Sequence, residues 1–481
     1  MSRVSDHYRL GRTQPTLDFV DVDVTGDVRV FLDPRAIRLL HTDWGEQCRE
    51  LLTTFFSEVL AAIKAGNPGR VRRLLSRLRE PNETHLGFSV GTARGHGLGH
   101  GSGESVADAL SASRAARTGL LRDLEDSVLL VPGVGRDIVS DITTNVLRGP
   151  LIAYTQAQAS YHGIPTQEVA SGPVWHPATA QWEEAFTQLP VGNGHRLILV
   201  PKALVRIQMD FDAGEYYGNY LIPVLQQEEL DRPGSELVQV LRSGPRVTKK
   251  AIKEKYGTGK DAVAELTNTH REALDDYRRQ KGEWVSPPLD HDQISHVTGT
   301  AQVDLTALLG VVRAIPPGRE HADAFHRAVE GLLTALFYSA LTEPEIEHPI
   351  HRGRKRIDIR YTNVARRGFF DWLTRHHVPC SHVYVECKNY TGDPMNPELD
   401  QLTGRFSPLR GQVGLLVCRT LTNKELFLQR CRDTALDRRG YCLPLDDDDL
   451  AQLVTTTTED HDSGHVAADF PLLKQLYDAL V

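Results

Sequence analysis

Asp358 and, 28 positions later, Glu386-Cys387-Lys388 are the residues of this 481-residue chain whose types and spacing suit chemistry. Two carboxylates and a lysine drawn together can hold a hard divalent cation beside a phosphate. Mg²⁺ takes about six oxygen ligands, keeps several as water, and is typically held by one or two carboxylates together with substrate phosphate. Such a cation polarises a phosphoryl oxygen and activates bound water. Lys388, a compact ammonium beside it, can position that water or neutralise developing charge. The expected ligands are therefore Asp358, Glu386 and the backbone carbonyl of Cys387, the cofactor Mg²⁺ with Mn²⁺ as its substitute, and the reaction phosphodiester hydrolysis.

These residues need strands to position them, and the alternation of side chains predicts two. In 356–361 a period of two puts Ile357, Ile359 and Tyr361 on one face and Asp358 on the other, and in 383–388 it buries Val383, Val385 and Cys387 while Glu386 and Lys388 project together. Paired as antiparallel neighbours, the strands bring the two carboxylates to one cation. Around them, Phe325, Val329, Leu332, Leu333, Leu336 and Phe337 at helical spacing predict a helix over 321–341. A strand is expected over 345–350. Asn396-Pro397 reads as an N-cap and first-turn proline opening a helix through Leu399, Leu402 and Phe406. A buried strand (413–418), a helix (424–436) and a last strand (441–445) follow.

The Asp…Glu-X-Lys arrangement and this element order resemble the PD-(D/E)XK nuclease superfamily, also called restriction-endonuclease-like, near its Holliday-junction-resolvase and modification-dependent restriction branches. The resemblance covers about residues 320 to 450, and Ile357 stands where the named pattern has proline. It implies an αβββαβ core with a mixed central sheet, and a metal-dependent deoxyribonuclease with Asp358, Glu386 and Lys388 as catalytic residues. It also implies an accessory acid at Glu330 on the first helix, and a Gln or phosphate-contacting base at Gln401 or Arg405, which are four apart on one helix face.

Each of these residues has a plainer reading. The charged residues on the outward side of the two strands, with Arg356 and Arg360 flanking Asp358, can form a cross-strand salt-bridge ladder, and Gln401 and Arg405 can belong to a solvated helix face. Against the ladder stands the central position expected for the Glu386 strand, where unpaired charge is costly. A non-catalytic nucleic-acid-binding or scaffold protein, and a repair or recombination nuclease for branched DNA, are the alternatives to restriction or antiphage defence.

The chain is 40% hydrophobic and 25% charged with net charge −8. Residues 315–440 hold 19 Lys and Arg against 15 Asp and Glu, so this segment is +4 and the rest −12. Arg352, Arg354, Lys355 and Arg356 before Asp358, and Arg366 and Arg367 after it, read as a phosphate-binding rim for DNA, or as charges guarding a strand edge. No stretch approaches the apolar length of a membrane helix, and Met-Ser-Arg-Val-Ser-Asp-His has no signal-peptide core. A cytoplasmic, membrane-free protein acting as a homo-oligomer, a dimer, is expected. The six cysteines lack CxxC spacing and read as reduced, mostly buried thiols.

Residues 1–300 are expected to be a mixed, mostly helical α+β domain for target recognition, partner binding or dimerisation, and 315–481 the nuclease-like domain. In the former, 20–24 and 28–32 predict a hairpin turning at Thr25-Gly26-Asp27, helices are expected near 46–65, 70–79, 104–114 and 137–147, and a strand over 197–200. The glycine-rich 95–103 reads as a flexible loop rather than a phosphate cradle, lacking the Lys-Ser/Thr of a P-loop. Asp137 and Asp141 read as helix-dipole partners, and Lys249, Lys250, Lys253, Lys255 and Lys260 as a solvated basic helix or a nucleic-acid contact. Residues 283–300 look like a linker, and Asp446 to Asp449 like a cap at a helix start.

Overall fold

The computed structural model describes residues 2–87, 102–242, 244–283, 285–350, 355–462 and 469–481. The protein is mixed α+β, and its apolar side chains gather into two cores. One runs from Val4 to Ile294 and takes in Tyr338 and Val364. The other runs from Leu305 to Leu480, so the second unit starts about ten residues ahead of the boundary expected at 315.

In the second unit, helix α1 (Leu305–Ala314) packs on α2 (Ala322–Phe337). There follow β1 (Leu341–Ile350), β2 (Lys355–Asn363), α3 (Gly368–Arg375), β3 (His382–Lys388), α4 (Asn396–Thr403), β4 (Val413–Cys418), α5 (Lys424–Leu436) and β5 (Tyr441–Leu445), then helices Asp447–Asp462 and Pro471–Asp478. The five strands form one sheet in chain order, antiparallel from β1 to β3 and parallel from β3 to β5. Strands β3 and β4 are buried along almost their whole length, Glu386 included, because they are central in the sheet.

The helix at 396–403 has Met395 as its N-cap, so it starts at Asn396, one position earlier than the sequence suggests. It ends before Phe406, and Arg405-Phe406 form the turn that follows. Phe406 stacks on Tyr384, ring centroids 5.8 Å apart, over Gly414, where a Cβ would lie 2.9 Å from the Phe406 ring. A glycine is needed there to seat that turn. Asp446 caps the helix Asp447–Asp462 as expected, accepting from the amides of Asp448 and Asp449 at 3.0 and 2.9 Å.

The first unit agrees with the sequence in its helices, found at Asp43–Lys64, Pro68–Leu75, Ser102–Ala112 and Arg136–Val146, but not in its strands. The expected hairpin at 20–32 is absent. Its valines are buried, yet their amides go singly to different segments: Val20 to the Val200 carbonyl, Val24 to Ser2, Val28 to His85. Only Phe31–Leu32 forms a strand, paired antiparallel with Val205–Arg206. The expected strand at 197–200 dissolves likewise, Leu197 bonding Pro190 and Ile198 bonding Glu83. The glycine-rich segment lies outside the described residues up to 101. The expected linker contains a capped helix, His291–Thr298, with Asp290 accepting from the Gln293 amide. No described helix is long and apolar enough to cross a membrane.

Candidate metal and phosphate site

Strands β2 and β3 pair Ile359 with Val385 and Tyr361 with Val383. Continuing that register by one residue sets Asp358 opposite Glu386, on the same face because side chains alternate. The backbone ladder stops short of this pair, and the Asp358 side chain takes over: its Oδ2 accepts from the Cys387 amide at 2.9 Å. Asp358 is partly buried, and its other oxygen has no partner among the described residues.

Glu386 is fully buried. Its Oε1 takes the Lys388 ammonium at 2.7 Å and its Oε2 is paired with Arg405, which is itself buried. Lys388 Nζ also donates to Gln401 Oε1 at 3.2 Å. Desolvation, followed by repulsion from Asp358, pushes the Glu386 carboxyl up from its ordinary value, and Lys388 and Arg405 pull the other way. Glu386 thus faces two cations, with Asp358 as a second carboxylate nearby, in a largely buried setting where such interactions are strong.

The structure therefore gathers Asp358, Glu386, Cys387, Lys388, Gln401 and Arg405. Arg405, expected to contact nucleic acid, is committed to Glu386 instead, since a buried carboxylate needs a buried counter-charge. Glu330, expected as an accessory acid, is also buried, but its carboxylate is taken up elsewhere: Arg12 at 2.6 Å, Tyr161 Oη at 3.0 Å and Thr334 Oγ1 at 3.1 Å. Arg12 and Tyr161 belong to the first unit, so Glu330 forms part of the seam between the two. In place of the salt-bridge ladder weighed as the plainer reading, Arg360 pairs with Glu345 across β1 and β2.

Of the basic rim, 351–354 lie outside the described residues, Arg352 and Arg354 among them. Lys355 and Arg356 are placed only by backbone, opposite Ile350 and Pro349 in β2. Arg366 and Arg367 are at the far end: even Asn363, where the strand stops, is five residues from Asp358, about 17 Å. They are not part of a rim around the carboxylates.

One residue was missed. His326, on α2, donates from Nε2 to the Cys387 carbonyl at 3.2 Å and lies 4.0 Å from Asp358 Oδ2. It sits one helical turn before Glu330, and that i, i+4 spacing of imidazole and acid was a legible signal. A carbonyl oxygen has two lone pairs, so Cys387 can accept from His326 and still face a cation. Among the described residues no three His, Cys, Asp or Glu side chains converge as a metal cluster. Two carboxylates and a carbonyl are nevertheless the hard-oxygen donor set that suits Mg²⁺ with water completing its shell.

Residues 9–212, within the first unit, match the family model described as Domain of unknown function (DUF8370). No curated protein and no solved structure matches the chain.

Proposed function

We propose that the second unit is a Mg²⁺-dependent nuclease of the restriction-endonuclease-like type that hydrolyses phosphodiester bonds in DNA, with restriction or antiphage defence as the role its resemblance suggests. The observation that carries this reading is the convergence of Asp358, Glu386 and Lys388 across two antiparallel strands at the centre of a mixed sheet, behind an α-β-β-β-α-β order of elements. Asp358, Glu386 and the Cys387 carbonyl would hold the metal, which supplies Lewis acidity and an activated water.

The chain's own residues divide the remaining work. Lys388, steered by Gln401, presents an ammonium to the phosphate oxygens where charge develops. Arg405 offsets part of the upward push that burial gives the Glu386 carboxyl. His326 fixes the Cys387 carbonyl and so the end of β3.

A second reading, a non-catalytic nucleic-acid-binding or scaffold protein, is favoured by one observation: both Glu386 oxygens are already neutralised by Lys388 and Arg405. Incubating the full chain with supercoiled plasmid, linear duplex and branched DNA, with Mg²⁺ or Mn²⁺, separates the two. The nuclease reading expects nicked or cut product from the wild type and none with EDTA. Intact substrates throughout would leave the scaffold.

A further inference from the structure

Away from the carboxylates, a cavity of about 940 Å³ opens where the two units meet. It is bounded by the segment joining the cores, the start of α1, the C-terminal end of α2, the turn after β2 and the helix Asp447–Asp462. From His326 to Leu336 is ten residues of helix, about 15 Å, so this space is separate from the Asp358 group.

Its chemistry is polarised. Arg366 and Arg367 line one side, exposed and without a hydrogen bond or ion pair among the described residues; the nearby Asp371 is paired with Arg375 instead. Both arginines border the same cavity, and their forked donors match the oxygens of a phosphate. The joining segment contributes Asp290 and Asp304, each spending one carboxylate oxygen as a helix cap, on the amides of Gln293 and Ala307, both at 2.8 Å. The second oxygen of each has no partner among the described residues and can accept from hydroxyl or amino groups. Buried Pro288, Leu336 and Val364 add an apolar surface between the charged groups.

We propose that this cavity binds a nucleotide: phosphate on Arg366 and Arg367, the base against the apolar surface, and sugar hydroxyls or a base amino group at Asp290 and Asp304. The volume is at the upper end of the range of about 300–1,000 Å³ for small-molecule sites. An apolar ligand would leave the guanidiniums unanswered, an inorganic anion would use only the arginine side, and a nucleic-acid strand would have to lead its phosphates past two carboxylates. Because Val364 belongs to the first core and Leu305 and Leu336 to the second, a bound nucleotide braces the two units against each other.

The test uses the full chain in EDTA, which removes any contribution from a divalent cation. Thermal melts and calorimetry are run with the ribonucleoside mono- and triphosphates, the parent nucleosides and inorganic phosphate. At least one nucleotide should raise the melting temperature, increasingly with concentration, and bind at least about tenfold more tightly than its nucleoside or phosphate alone. Arg366→Glu with Arg367→Glu should remove the shift, as should Thr306→Trp, which fills the cavity from an exposed position. Asp358→Asn should retain it whether or not the chain is a nuclease. No shift with any nucleotide, a shift equalled by phosphate alone, or one that survives both cavity variants overturns the proposal.

Discussion

Glu330 and Glu386 are both carboxylates taken out of water, 2% and 0% exposed, and both face an arginine. What surrounds them differs in what is left over. Glu330 is the lone acid of its cluster, and Arg12, Tyr161 and Thr334 use its oxygens. Glu386 shares its space with a second acid, Asp358, which keeps an oxygen without a partner, and with a lysine that reaches the surface beside Gln401. A buried acid that stands alone with a full set of partners holds parts together. One with a second acid across the strand leaves capacity for a cation and a substrate.

The sharpest break of that contrast is Arg12→Met, which leaves Glu330 buried without its cation. Removing one partner of a buried pair costs about 3–5 kcal/mol, so urea unfolding of the full chain should shift to much lower denaturant, while any cleavage per folded molecule persists. An unshifted midpoint would remove Glu330 from the seam. Next in size, Asp358→Asn and Lys388→Ala should each lower Mg²⁺-dependent cleavage by about 10²-fold or more, the loss seen when one electrostatic stabiliser is removed, with little change in melting temperature. Asp358→Asn should also abolish the rise in melting temperature that Mg²⁺ gives the wild type, because closely held carboxylates are relieved by a cation. A melt that Mg²⁺ moves equally in both proteins would detach Asp358 from the metal.

A smaller effect concerns Glu343, another seam residue, whose amide donates to Asp18 Oδ1 at 2.9 Å and whose Oε2 accepts from Thr362 at 3.0 Å. Burial and then Asp18 push its carboxyl up from 4.5 to about 8. The folded chain thus keeps a proton that the unfolded chain releases, and this group's stabilisation is complete below about pH 4.5 and lost as pH rises toward 8. Glu343→Gln should flatten the decline in melting temperature between pH 5 and 8; a slope unchanged from wild type would refute the assignment. Smallest of all, Arg360→Ala should cost no more than about 1 kcal/mol, as for other partly exposed pairs, and its unfolding midpoint should stay close to wild type.

The second unit was readable because its strands pair along their length. Val413–Cys418, Lys424–Leu436 and Tyr441–Leu445 have the bounds their periodicity implies. The first unit misled because the same alternation in Val20, Val22, Val24, Val28 and Val30 records burial alone: the amides of Val20, Val24 and Val28 go to three different distant segments, and those of Val22 and Val30 bond locally to Val20 and Val28. Within the site, strand alternation placed Asp358, Glu386 and Lys388. It could not place Glu330, whose partners Arg12 and Tyr161 lie more than 160 residues away in sequence, nor separate Arg405 as a counter-charge from Arg405 as a phosphate contact. His326 was passed over because reading a helix by its apolar stripe assigns the remaining positions to solvent.

The cysteines divide unevenly between the cores. Cys48 lies in the first, while Cys380, Cys387, Cys418, Cys431 and Cys442 lie in the second, and all six are buried free thiols. Burial raises the thiols of Cys387 and Cys418 well out of the range where thiolate forms, and only the thiolate reacts. An alkylating reagent therefore meets these sulfurs when the sheet opens, and the rate at which five of the six labels are taken up is a clock for the breathing of the second unit that needs neither substrate nor metal.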